Sequence, residues 1–191
     1  APEAQWIGCR CMERGWGMLS TYIECFEWFL APTDLQGKNP NPAKAPHVVN
    51  NSWGCPPEEG CNPANFATME QVISTLKAAG IFVAVAAGND GSLGCSSIMD
   101  PASMLASSFS VGATAFNDTL ASFSSRGPVL ADQSKRIKPE ISAPGVAVRS
   151  TIKNNAYGAF NGTSLASPMV AGAVALLISA YPQLSGKVEL L

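Results

Sequence analysis

The feature that most constrains this chain is an unbroken apolar run, Ile81-Phe82-Val83-Ala84-Val85-Ala86-Ala87, closed by Gly88-Asn89-Asp90-Gly91. A strand with one wet face alternates apolar and polar residues. A run with no polar residue belongs to a strand buried on both faces. Its length suits a strand better than a helix. Burial on both faces requires a layer above and a layer below, so the run predicts an inner strand of a parallel sheet. In such sheets the site lies beyond the carboxyl ends of the strands. The polar, Gly-rich exit from this run falls there.

The rest of the chain supplies the alternation that such a sheet needs. Trp6 to Arg10 reads as a short strand. Ser20 to Leu30 reads as a helix, with Tyr22, Ile23, Phe26, Phe29 and Leu30 on one stripe. Gly37 to Pro46 carries three prolines and reads as an extended loop. Val48 to Asn50 is a strand entering Asn51-Ser52-Trp53-Gly54, a second polar, Gly-containing exit. Asn65 to Ala79 is a helix with Gly80 as its stop. Phe109 to Ala113 is a strand, Ala115 to Gly145 is rich in turns, Val146 to Ile152 is a further strand, and Ser164 to Tyr181 is a closing helix. The expected class is α/β, an open parallel sheet with right-handed crossovers and helices on both faces.

Composition narrows the function classes. With 191 residues the chain suits one domain. Twelve Lys and Arg stand against 14 Asp and Glu, so no basic excess exists to bind a nucleic-acid backbone. Charged residues are 14% and apolar residues 47%, which argues against disorder. The longest apolar stretch, Met169 to Ala180, has 12 residues, short of the ~20 of a membrane span. Neither nucleic acid nor membrane is an expected partner.

The chemistry concentrates in Gly162-Thr163-Ser164-Leu165-Ala166-Ser167-Pro168-Met169-Val170-Ala171-Gly172. A serine stands at the start of a long apolar helix, where unpaired N–H groups and the positive dipole end favour an oxyanion. Ser164 is thus placed as a nucleophile, with its own N–H as an oxyanion donor. On the local pattern alone, Thr163 or Ser164 capping the helix is the simpler account. Pro168, early in the helix, would cost little there. Ala166 excludes the Gly-x-Ser-x-Gly elbow of another hydrolase fold.

Five segments together resemble the subtilisin-like serine proteases. Gly162-Thr163-Ser164-Leu165-Ala166-Ser167-Pro168 resembles their nucleophile motif. Val83 to Gly91 resembles their oxyanion segment, and Val48 to Gly54 their substrate-binding strand. Ala121-Ser122-Phe123-Ser124-Ser125-Arg126-Gly127-Pro128 and Lys138 to Gly145 match two more. They come in family order and span nearly the whole chain; the front is most similar to the branch that contains bacillopeptidase F. The resemblance implies Ser164 as nucleophile and Asn89 as the side-chain oxyanion donor. Loss of such a donor costs on the order of 10²–10³ in kcat, a magnitude measured on subtilisin itself. It also implies Ser52, Trp53 and Gly54 on one side of a peptide cleft and Ala86, Ala87 and Gly88 on the other, with an extended peptide or protein substrate paired between them. It implies a secreted, extracellular endopeptidase that needs no cofactor for catalysis. Structural calcium is compatible with the family, but no ligand here is assignable.

The family triad runs Asp, His, Ser. Neither an Asp-Thr-Gly or Asp-Ser-Gly strand nor a His-Gly-Thr-His helix occurs. The single histidine, His47, precedes the Val48 strand, at the amino end of the sheet. Four residues of strand set it roughly 13 Å from the carboxyl edge at ~3.3 Å each. The expectation is that residues 1–191 are the C-terminal portion of one catalytic domain, incomplete on the N-terminal side, and inactive alone. The missing N-terminal part would be its partner. The competing reading is a non-catalytic module that keeps the cleft to bind peptides or assemble.

Six cysteines without a Cys-x-x-Cys pair suggest disulfides and an oxidising compartment. Ala1-Pro2-Glu3-Ala4 carries neither the basic start nor the apolar core of a secretory leader, so the chain reads as mature or cut from something longer. Cys55 and Cys61 flank a tight loop, and Cys9 could meet Cys25. Cys11 and Cys95 have no assignable partner, and connectivity stays open. Cys9-x-Cys11 is a poor metal spacing. Gly15-Trp16-Gly17, with Asp34 further on, weakly matches a dinucleotide fingerprint, and a turn into the helix is preferred.

Overall fold

The computed structural model describes all of residues 1–191. Its elements are β1 (Met12–Glu13), β2 (Trp16–Gly17), α1 (Leu19–Leu30), β3 (Val48–Asn51), α2 (Phe66–Ala78), β4 (Phe82–Ala86), α3 (Pro101–Met104), β5 (Phe109–Thr114), β6 (Ile141–Pro144), β7 (Val148–Ile152), β8 (Ala156–Phe160) and α4 (Thr163–Ala180). Strands β3, β4, β5 and β6 form one parallel sheet in that order.

The apolar run is β4, and the period of 2 along it explains its composition. Phe82 and Ala84 turn to one face and meet Val174 of α4. Val83 and Val85 turn to the other and join Tyr22, Phe26, Met69, Ile73 and Leu76 of α1 and α2. Both faces are therefore dry, as the sequence demanded. Further along the α4 face, Ala166 packs on Val111, Ala113 and Ala143. Small residues there let α4 lie close over the sheet. α4 is long and apolar enough over its 18 residues to cross a membrane, but it packs on strands β3 to β6. Gly80 ends α2 with φ +84°, and a Cβ there would lie 2.7 Å from the Gly186 Cα. Only glycine meets both demands.

Three elements differ from expectation. Trp6 to Arg10 forms no strand; the hairpin β1–β2 follows it instead. Its turn is Arg14-Gly15, with φ of 52° and 85°. Two positive φ values make the mirror-image turn that hairpins favour. Gly15 therefore serves a turn, and the dinucleotide reading falls. Second, Val148 to Ile152 does not join the parallel sheet. It pairs antiparallel with β8, which the sequence reading passed over. Asn154 and Asn155, at φ 66° and 53°, turn the chain back on itself there. Third, the turn-rich stretch contains β6. Its Pro144 ends an edge strand, where a missing N–H is tolerated.

Two disulfides form, Cys9–Cys25 and Cys55–Cys61, each with Cα atoms 5.6 Å apart. Cys11 and Cys95 are free.

Candidate active site

Strands β3 and β4 pair as far as Asn51 opposite Val85. Beyond that point they part. The β4 side stays with β5, because the Ala87 N–H donates to the Val111 carbonyl at 3.0 Å. Trp53 and Gly54 make no hydrogen bond through either N–H or C=O. The result is a groove at the carboxyl edge, with Ser52-Trp53-Gly54 on one side and Ala86-Ala87-Gly88 on the other. The two sides are not equivalent. Gly88 donates to Thr163 Oγ1 at 3.2 Å and accepts from the Ser125 N–H at 3.0 Å. Its backbone is committed, and the Ala87 N–H is already bonded to β5. The unbonded backbone at this edge belongs to Trp53 and Gly54.

Ser164 opens α4 from below this groove. Neither Thr163 nor Ser164 caps the helix; the cap position is Gly162, with no side-chain cap. The simple capping account is therefore set aside. Ser164 Oγ donates to the Ser52 carbonyl at 3.2 Å, and Ser52 Oγ donates to the Ser164 carbonyl at 2.8 Å. The second bond has a cause in the sequence. The Ser164 carbonyl would normally accept from residue 168, but Pro168 has no N–H. Ser52 fills the place. Asn50 Nδ2 donates to Ser52 Oγ at 3.0 Å, and Ser167 Oγ donates to Asn50 Oδ1 at 2.7 Å. This chain of bonds fixes the end of β3 to the first turns of α4.

Asn89 leaves this side of the groove toward the same point. Its Oδ1 accepts from the Thr163 N–H at 2.9 Å and from Thr163 Oγ1 at 3.1 Å. With the oxygen held, Nδ2 faces the other way and donates to nothing in the chain. The Ser164 N–H lies in the first helical turn, where no intrahelical acceptor exists. The point a Cβ would take on Gly162 lies 3.6 Å from Ser164 N, 3.8 Å from Asn89 Nδ2 and 3.6 Å from Leu165 Cδ2. Two N–H donors without an acceptor in the chain thus stand at the start of α4, next to the Ser164 hydroxyl.

Trp53 is held from behind. Its ring stacks on Tyr22, with centroids 3.9 Å apart and planes 9° from parallel. The Tyr22 hydroxyl donates to Glu59 Oε2 at 2.5 Å, and the Gly17 N–H donates to Glu59 Oε1 at 3.0 Å. Burial, then the bond to Glu59, pushes the Tyr22 pKa far up. Glu59 sits in the Cys55–Cys61 loop, so that disulfide stiffens the support of the groove rim.

His47 is not part of this arrangement. Its carbonyl accepts from the Phe82 N–H at 3.0 Å, at the amino end of the sheet. No imidazole or carboxylate accepts from Ser164 Oγ. No group of three His, Cys, Asp or Glu side chains converges in the structure. Sequence reasoning singled out Ser164, Asn89 and the two groove segments. It missed Thr163, Asn50 and Ser167, whose roles depend on partners more than 70 residues away.

The profile of the subtilase family matches residues 1–189. Bacillopeptidase F of Bacillus subtilis strain 168 is 41% identical over 97% of this chain. Subtilisin E of the same organism is 33% identical over 95% of it, and subtilisin BL of Lederbergia lenta 36% identical over 97%. The chain spans 12%, 41% and 57% of those three relatives' own lengths. The groove, the serine at the start of α4 and this match together show that the chain belongs to the subtilase family.

Proposed function

We propose that this chain carries the nucleophile and the oxyanion hole of a secreted serine endopeptidase. Ser164 attacks the scissile carbonyl, and its own N–H and Asn89 Nδ2 bind the resulting oxyanion. Trp53 and Gly54 hold the substrate backbone in extended form, and Ala86 to Gly88 wall the pocket. The observation that supports this reading is that Ser164 N and Asn89 Nδ2, both without an acceptor in the chain, lie 3.6 and 3.8 Å from one point at the start of α4. A helix end that only needed a cap would not require a second donor anchored by Thr163.

The general base comes from elsewhere. Ser164 Oγ has only a backbone carbonyl as acceptor. A carbonyl cannot take its proton, so a His oriented by an Asp must be supplied by a segment outside these 191 residues. Loss of the catalytic His in subtilisin costs on the order of 10⁶ in kcat. The 191-residue chain alone is therefore expected to leave casein uncut, whereas the product of the whole native reading frame cuts it. Turnover by the isolated chain at the level of subtilisin E would refute the need for the missing groups. A whole reading frame that binds peptides without cutting them would make this a binding module.

A further inference from the structure

Asp100 occupies the N-cap position of α3, where an aspartate normally turns its carboxylate onto the helix's own N–H groups. Here it does not. Its backbone carbonyl accepts from the Ser103 and Met104 N–H groups, and no side-chain cap bond forms. The carboxylate turns instead against Gly54 of the groove. A Cβ on residue 54 would lie 3.1 Å from Asp100 Cγ and closer still to Oδ2. Gly54 thus leaves the space beside the free substrate-pairing backbone to a carboxylate.

That carboxylate has no partner. It accepts no hydrogen bond within the chain and enters none of the four ion pairs. The charged groups that act on it are Asp90 and Glu59, both acidic. Burial first, then those two carboxylates, raises its pKa. A half-buried carboxylate without a donor or cation is costly to keep unless something supplies one. Gly54 lies two residues past Ser52, whose carbonyl receives Ser164 Oγ, so Asp100 stands about 7 Å along the groove from the nucleophile. A long cationic side chain just before the scissile bond spans such a gap.

We propose that Asp100 sets substrate preference by pairing with an Arg or Lys side chain immediately before the cut bond. This rests on the protease reading above. Arginine suits the site better than lysine because its fork can engage both carboxylate oxygens.

The test uses the protein made from the whole native reading frame and four p-nitroanilides, succinyl-Ala-Ala-Pro followed by Arg, Lys, Phe or Leu. The expected result is kcat/KM at least ~10-fold higher for Arg than for Phe. Asp100→Asn should remove that preference while leaving the Phe substrate within ~2-fold, and Asp100→Glu should restore part of it. Preference for Phe or Leu in the unaltered protein would overturn the inference. So would an equal loss on all four substrates in Asp100→Asn, which marks a structural role. If no substrate is cut, the protease reading fails by itself. The same protein is then titrated with fluorescent peptides ending in Arg or Phe. Tighter binding of the Arg peptide, lost in Asp100→Asn, keeps the inference; equal or absent binding ends it.

Discussion

Replacing Ser52 by Ala isolates the link between the groove and the nucleophile helix. The substitution removes the hydroxyl that donates to the Ser164 carbonyl at 2.8 Å. No backbone donor can replace it, because residue 168 is proline. An acceptor left without its partner in a half-buried position costs about 1–2 kcal/mol. For a domain of this size that is roughly 2–8 °C in Tm. The sharper test is a double-mutant cycle with Pro168→Ala. An alanine at 168 restores the N–H that reaches the Ser164 carbonyl along the helix, so Ser52→Ala in that background should cost about 0.5 kcal/mol or less. Urea unfolding of the four proteins, followed by circular dichroism, gives the coupling. Equal cost of Ser52→Ala in both backgrounds would refute the reasoning that Ser52 stands in for a missing helical donor.

Tyr22→Phe removes a bond donated to a buried carboxylate at 2.5 Å and should destabilise by about 1.5–3 kcal/mol, read by the same unfolding assay. Absorbance titration at 295 nm should find one tyrosine that resists ionisation beyond the range of the others, and Tyr22→Phe should remove it. Breaking Cys9–Cys25, which closes a separation of 16 residues, should cost about 3 kcal/mol, measured as the drop in stability of the double Ala variant. The raised pKa of Asp100 has a defined sign for stability. The folded state holds that proton to higher pH than the unfolded chain does, because burial and the charges of Asp90 and Glu59 disfavour the ionised form. Its contribution is full below the ordinary aspartate value of 3.8 and is lost as pH rises through the raised one. Asp100→Asn should match the unaltered protein in acid and exceed it at pH 7; the opposite order would refute the assignment.

The sheet was legible because its signals are local. Ile81 to Ala87 needs no partner to announce burial on both faces, and Val48 to Asn51 pairs with it in the expected parallel sense. The position of Ser164 and Asn89 at the carboxyl edge was legible because the first opens α4 and the second follows the end of β4. Hairpins were harder. Arg14-Gly15 and Asn154-Asn155 turn the chain through positive φ, and the flanking strands are short or half-exposed. Strand β6 was hidden because Pro144 and an exposed Ile141 look like loop until β5 pairs with them. The supports of the site were invisible for another reason. Thr163 holding Asn89, Ser167 holding Asn50 and Asp100 turned against Gly54 are all contacts between distant segments, and no local pattern predicts them.

In the proposed reaction Ser164 is a nucleophile served by two donors. The most direct measurement labels the product of the whole native reading frame with a biotinylated fluorophosphonate and maps the modified peptide by mass spectrometry. The predicted result is a single adduct on Ser164, absent in Ser164→Ala, with casein hydrolysis falling by about 10²–10³ in Asn89→Leu at little change in KM. An adduct on another serine, or casein hydrolysis that survives Ser164→Ala, would contradict it.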